Sequence, residues 1–322
     1  MKAFLPFAAA AALALSAPVH AQADYPNKPI RIVVPFAAGG GVDILTRTLA
    51  QQMSEDLGQS IVVENKPGAG GNLGLETVAK AAPDGYTLVM ATTGTQTINP
   101  GIYKHLAFDA EKDFSPISMI ASVPNLLVEN TKVPAKSVKG LVKLAKSEPG
   151  KLSFASFGYG TSNHLSGELL KQMTGINVLH VPYKKAPQAI TELISGQVQF
   201  AFVNMPLALP HVKAGRLRAL AVTGHERSAT LPDIPTMNEA GVPGFFVESW
   251  YGLMAPAGTP DAVIRKLHDE IVAALAKPVV KDRFNKQGAE VVTDTPEQFG
   301  ATIKSETARW AEIIRKSGAH ID

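Results

Sequence analysis

Apolar positions along the chain follow two alternating periods. "PIRIVV" (29–34) is a β-branched run and predicts a buried strand. In "VDILTRTLAQQMSEDLG", Ile44, Leu45, Leu49, Met53 and Leu57 fall at helical spacing, and Gly58 ends the run. "SIVVEN" reads as a strand, "LGLETVAKAAP" as a helix stopped by Pro83, and "YTLVMATTG" as a third strand. The pattern restarts after about Val123. "NLLVEN", "KLSFASF", "NVLHVPY", "VQFAFVN" and "LRALAVTG" predict strands, with His180 partly buried in the third. "SVKGLVKLAKSEPG", "HLSGELLKQMTG", "APQAITELISGQ" and the short, proline-containing "MPLALPHVKAG" predict the helices between and beside them. Residues 260–316 read as mostly helical.

Strands alternating with helices imply an α/β fold with parallel sheets and crossover connections. Two such units with similar strand–glycine–helix openings imply two lobes facing each other. Ligands of open parallel sheets bind beyond the carboxyl ends of the strands. The loops at 35–43 and 157–164 occupy such positions, so the expected site is the cleft between the lobes.

Length and composition narrow the class. The 322 residues suit two domains, with 45% hydrophobic and 18% charged residues, a globular balance. The formal net charge of +3 is small and no run of five basic residues occurs, so nucleic acid is not an expected partner. The opening "MKAFLPFAAAAALALSAPVHAQA" has one early cation, an apolar run and small residues, which reads as a secretory signal over 1–23. Cleavage after Ala21 or after Ala23 fits the small-x-small rule. With no cysteine in the chain, thiol chemistry, disulfides and a lipid anchor at a lipobox cysteine are excluded. The expected location is the periplasm.

"PFAAGGGVDIL" (35–45) leaves four uses open: a phosphate cradle, an oxyanion hole, a carboxylate site or a tight turn. A P-loop needs Gly-Lys-Ser/Thr, and no such ending follows either loop. A dinucleotide fingerprint needs a third glycine where Ile44 stands; "GAGGNLG" (68–74) follows Lys66-Pro67 and has the wrong spacing. "GTSNH" puts Ser162 on a strand-to-helix turn, the one feature of an exported serine-type esterase, with His164 as a conceivable base. The closing glycine of the nucleophile elbow is missing, however, and side chains two apart at a helix start pair poorly. The eight histidines are scattered without metal-ligand spacing, so neither metal nor cofactor is expected. Anion binding by backbone N–H groups at a helix start remains. Asp43 suits an early helix position from which its carboxylate accepts loop N–H bonds. In "GYGTSN", Thr161 and Ser162 can donate to a carboxylate and Tyr159 can shield it.

These stretches also carry a family pattern. "YPNKPIRIVVPFAAGGGVDILTR", "VVENKPGAGGNLGLETVAKAAPDGYTL", "HVPYKKAPQAITELISGQVQ" and "LRALAVTGHERSATLPDIPTMNEAG" make the whole mature chain resemble the Bug-type periplasmic solute-binding receptors of tripartite tricarboxylate transporters. The resemblance implies two Rossmann-like lobes in a type II periplasmic binding protein, or Venus-flytrap, fold. It places one lobe at 24–122 and 250–322 and the other at 123–249. It implies a small carboxylate ligand held by Phe36, Ala38, Gly39, Gly40 and Asp43 from one loop, and by Tyr159, Gly160, Thr161, Ser162 and His164 from another. Thr93, in the loop after the third strand, and Asn204, at the ligand's far end, complete the expected set. Asn204 stands where the family commonly has Asp, and Lys185 where glycine is usual. Both departures disfavour an amino-acid ligand and favour a dicarboxylate, tricarboxylate or aromatic carboxylate. The implied partners are the transporter's membrane components, served by a monomeric receptor that performs no catalysis.

Overall fold

A computed structural model describes residues 25–317; the signal-sequence reading over 1–23 lies outside the described residues. The chain opens with β1 (Ile30–Val34), α1 (Gly41–Leu57), β2 (Ile61–Asn65), α2 (Asn72–Ala79) and β3 (Thr87–Thr92). A π-helical turn over Gly94–Ile98 leads into α3 (Asn99–Ile102). The long β4 (Phe114–Asn130) follows, then α4 (Val138–Ser147), β5 (Ser153–Ser156), α5 (Ser162–Thr174), β6 (Leu179–Pro182) and α6 (Ala186–Ser195). Next come β7 (Phe200–Asn204), α7 (Met205–Lys213), β8 (Leu217–Val222) and β9 (Glu248–Pro256). The chain closes with α8 (Asp261–Ala276), α9 (Pro278–Lys286), β10 (Glu290–Val291) and α10 (Pro296–Ser317).

The strands form two sheet regions that share β4. β2-β1-β3 are mutually parallel, as are β6-β5-β7. In both regions an antiparallel strand interrupts the expected all-parallel pattern. β9 runs against β3 and β4, while β4 runs against β7 and β8. The first part of β4 and all of β9 come from stretches to which the chain's periodicity assigned no element. "YTLVMATTG" stops being a strand at Thr92, because Thr92 and Thr95 exchange side-chain and backbone bonds that turn the chain into the π-helix.

β4 links the two regions by changing partners. Phe114 to Pro124 pair with β9, and Asn125 onward pairs with β7 and β8. The chain returns beside this point, where Val247 N–H donates to Thr223 O at 3.0 Å and Glu248 pairs with Pro124. Two adjacent strand segments therefore join two lobes.

Each sheet region is covered on both faces. In β1, Ile32 and Val34 face one core while Val33 faces another, and all three are fully buried, so the strand reads as a continuous apolar run. Burying each such side chain contributes roughly 1.5–3 kcal/mol. The terminal α10 touches both halves. Phe299 and Ile303 pack with Val89 and Trp250, whereas Trp310 and Ile314 pack with Phe154, Phe202 and Ile98.

Candidate functional site

A cavity of about 660 Å³ opens beyond the carboxyl ends of β1, β3, β5 and β7. That is ample for a small organic ligand. Five helices begin at its wall. Gly40, Gly71, Thr161, Lys185 and Asn204, the residues capping α1, α2, α5, α6 and α7, all line it. Each helix start presents free N–H groups and the positive end of a dipole. The lining also holds Lys184 and Lys185, but no aspartate, glutamate or histidine. Phe36, Tyr103, Phe157 and Tyr159 supply apolar surface. Helix starts and two exposed lysines, with no carboxylate in the lining, favour an anion over a cation.

The loop after β1 is braced from behind. Gly39 adopts φ +79°, a conformation that favours glycine, and its N–H donates to Asp43 Oδ2 at 2.9 Å. Asp43 Oδ1 accepts from Arg47 Nε and Asn65 Nδ2, both at 2.9 Å. Asn65 Nδ2 also donates to Phe36 O at 3.0 Å, which ties the loop to β2. Burial raises the Asp43 pKa, but the bonds from Arg47, Gly39 and Asn65 outweigh it and hold the carboxyl below its ordinary value. Asp43 is therefore ionised and directed into its own loop, not into the cavity.

The loop after β5 repeats this geometry with other chemistry. Gly160 has φ +75°, and its N–H donates to His164 Nδ1 at 3.4 Å. Thr161 Oγ1 caps α5 by accepting the His164 N–H at 3.3 Å. The His164 ring stacks on His180 at 4.3 Å and meets the edge of Tyr159 at 5.3 Å. Burial, then His180, then Lys171 pushes the His164 pKa down to about 3; burial, then Lys171, pushes that of His180 down to about 4. Both rings are neutral at pH 7.

Beneath α5, Asn125 on β4 organises an amide network. Its Oδ1 accepts from Asn163 at 3.1 Å and Asn204 at 2.9 Å, and its Nδ2 donates to Ser162 Oγ at 3.3 Å. Ser162 is thus bonded to an amide, and no Ser162–His164 side-chain bond occurs among the described residues. Ser156 Oγ lies 2.6 Å from His180 Nε2, but Ser156 is fully buried and stands outside the cavity lining. Neither serine sits in a nucleophile–base arrangement open to a substrate.

The two lobes nearly touch across the cavity. A Cβ on Gly70 would fall 2.5 Å from Tyr159 O, and one on Gly160 would fall 2.0 Å from Asn99 Oδ1. Of the residues expected from sequence, Phe36, Gly40, Tyr159, Thr161, Ser162 and Asn204 line the cavity. The others stand outside the lining. Ala38 and Gly39 form the exposed tip of their loop. Asp43 and His164 face back to accept the glycine N–H groups, and Gly160 supplies one of those groups. Thr93 Oγ1 is engaged by the Trp250 N–H at 2.9 Å, leaving Thr92 and Gly94 to face the cavity. The cavity wall also holds contributors outside the expected set, among them Tyr103, Phe157 and Tyr183. The 68–71 glycine turn is legible in the sequence only as a failed nucleotide fingerprint and as part of a family motif, and Tyr251 lies in "ESWYGLMAP", an aromatic and apolar run whose bounding turn residues are a readable strand signal.

Residues 45–319 match the family model described as the tripartite tricarboxylate transporter family receptor. The chain is 38% identical over 308 residues to protein BugT of Bordetella pertussis, covering 95% of this chain and 94% of that one. Among solved structures it is similar to the R. palustris protein Rpa4515 with adipate (36% identity, TM-score 0.90, 92% of this chain and 100% of the other). It is also similar to MatC from Rhodopseudomonas palustris with bound malate (33%, TM-score 0.86, 90% and 100%). The periplasmic binding protein BugD gives 38% identity and a TM-score of 0.88, with 92% and 99% covered.

Proposed function

The chain belongs to the tripartite tricarboxylate transporter receptor family, and on that premise we propose that it captures a small carboxylate between its lobes for delivery to the membrane components of such a transporter. The observation that carries this reading is the cavity wall: five helix starts and two lysines with no acidic side chain among them. Such a wall supplies donors to a carboxylate and no anionic partner for an ammonium group. Relatives solved with adipate and malate support the ligand class. The neutral Asn204 and the cationic Lys185 favour a di-, tri- or aromatic carboxylate over an amino acid. The proposed holders are the loops at 36–43 and 159–164 with Thr93 and Asn204, some by direct contact and some by fixing the loops. The partner change of β4 after Pro124 supports lobe limits near 122/123 and 249/250. The receptor acts in the periplasm as a monomer, and its ligand leaves unchanged.

A thermal-shift screen of di-, tri- and aromatic carboxylates tests this. A ligand at 100-fold excess over Kd adds roughly 2.7 kcal/mol of stability, so at least one clear upward shift is expected. Esters or amides of the hit lose it. In Gly40→Val a Cβ meets nothing closer than Ala37 O at 3.5 Å, so the loop tolerates it while the side chain fills ligand space. That variant folds and does not bind. Stabilisation by sugars or cationic amino acids, with every carboxylate inert, would overturn the reading.

A further inference from the structure

Tyr251 lies at the centre of the molecule, on β9 between Thr92 of β3 and Ala121 of β4. It is 1% exposed, and its hydroxyl has no hydrogen-bond partner among the described residues. A buried hydroxyl left unpaired lowers the stability of a folded protein, so one at a cavity wall calls for a reason. Tyr251 lines the cavity, with its hydroxyl oxygen buried just behind the wall. Its hydroxyl lies beside the first residue of α1, since a Cβ on Gly41 would stand 3.4 Å from it. The same point on Gly41 is 3.6 Å from the Cβ atoms of Asn204 and Pro206 at the start of α7. The hydroxyl therefore sits where the N-terminus of α1 meets the opposite lobe.

Two neighbours sharpen the assignment. Trp250 also has a buried, unpartnered N–H, but the strand's alternation turns it to the other face, where its ring packs edge-on to Phe299 at 5.1 Å, outside the cavity lining. Tyr183, another cavity tyrosine, donates its hydroxyl to Glu192 Oε2 at 2.6 Å and so has a bond within the fold. Tyr251 combines the cavity position with an uncommitted hydroxyl. Burial raises its phenol well above the ordinary value, which keeps the proton in place as a donor.

We propose that Tyr251 is a ligand-binding residue whose O–H donates to an oxygen of the bound carboxylate, alongside the first N–H groups of α1. This rests on the carboxylate-receptor reading and adds a donor from the strand that returns the chain between the lobes. Ligand contact is thereby carried to the segment paired with β4 at the crossing point. A donor built into a dry wall discriminates strongly against ligands that offer no acceptor there.

Tyr251→Phe tests the proposal, because it removes one oxygen and keeps the buried ring. Affinities of both proteins for adipate, malate and the carboxylate panel are measured by calorimetry, and Tm is measured without ligand. The expected result is an unchanged or higher ligand-free Tm together with at least a fivefold loss of carboxylate affinity. A smaller loss overturns the proposal while leaving the receptor reading intact. A lower ligand-free Tm also overturns it, since the hydroxyl would then have a partner in the fold. Wild-type protein that binds no carboxylate overturns the receptor reading, and this proposal with it.

Discussion

Gly39 and Gly160 each stand two residues before a helix, with φ of +79° and +75°, and each donates its N–H to the side chain four residues on. In the first loop the acceptor is a carboxylate, bonded also to Arg47 and Asn65. In the second it is a neutral imidazole, reached at 3.4 Å instead of 2.9 Å and held by ring packing. One backbone turn is thus fixed by charged, multiply shared bonds and the other by neutral ones, the long Gly160–His164 bond together with those of Gly158 to Ser156 Oγ and Thr161 Oγ1. Charge-assisted bonds are roughly twice as strong as neutral ones. The first loop is thereby the stiffer of the two, and the second depends on the protonation state of a buried ring.

Acid separates the two loops most strongly. His164 and His180 have folded pKa values of about 3 and 4 against 6.5 in the unfolded chain. Between these values the unfolded state binds protons that the native state refuses, so stability is full above pH 6.5 and falls as pH drops. At pH 5 the loss is roughly 2 kcal/mol for each ring. Protonation would also convert the His164 Nδ1 acceptor into a donor and break its bond from Gly160. Asp43, held below its ordinary value of 3.8, keeps its loop intact until lower pH. Glu129, raised to about 7 by burial, gains stability as pH drops over the same range, so the readout is the difference between wild type and His164→Gln. In urea titrations at pH 7, 6 and 5 the wild type should lose more stability than the variant, and equal losses would break the comparison.

Alanine at the two glycines isolates what lies opposite each loop. The left-handed backbone costs roughly 1–2 kcal/mol at either site, and because the φ values match, that cost cancels in the difference. A Cβ on Gly39 meets nothing within 4 Å, whereas one on Gly160 meets Asn99 Oδ1 at 2.0 Å. Gly160→Ala should therefore exceed Gly39→Ala by at least about 1 kcal/mol in unfolding free energy, a difference typical of overpacking. It should also lower carboxylate affinity further, because it pushes the lobes apart. Equal effects in calorimetry and urea unfolding would show that the contact yields without cost.

The two loops were equally legible in the sequence. "PFAAGGGVDIL" and "GYGTSN" announced turns entering helices, because glycine runs and an early Asp, Ser or Asn have few other uses there. The direction of the side chains was not legible. Asp43 and His164 face backwards because each accepts an N–H four residues earlier, a bond that needs both an acceptor side chain and a glycine φ that residue type alone does not reveal. The lobe junction was hidden for a different reason. β4 has a serine- and proline-containing first half, "FSPISMIASVP", that lacks a strict alternation because both its faces are covered. With β9 it forms the antiparallel centre on which Tyr251 sits, a position fixed by pairing between residues more than a hundred apart.

Asp43→Ala is expected to give the smallest effect, and it tests whether the brace matters to the ligand. The substitution removes the acceptor of the Gly39 N–H, of Arg47 Nε and of one Asn65 bond. Arg47 is half exposed and regains water, and Asn65 keeps Phe36 O, so the cost in stability is about 1 kcal/mol, not that of a stranded buried charge. Asp43 is absent from the cavity wall, so any change in affinity must come through the positions of Phe36, Gly40 and Gly41. A severalfold loss of carboxylate affinity, partly restored in Asp43→Asn because its amide oxygen still accepts from Gly39, would show that a stiff loop presents the helix start. Unchanged affinity at reduced stability would mean that the α1 N-terminus holds its geometry without the brace, and the distinction between a stiff loop and a pliant one would then lose its functional meaning.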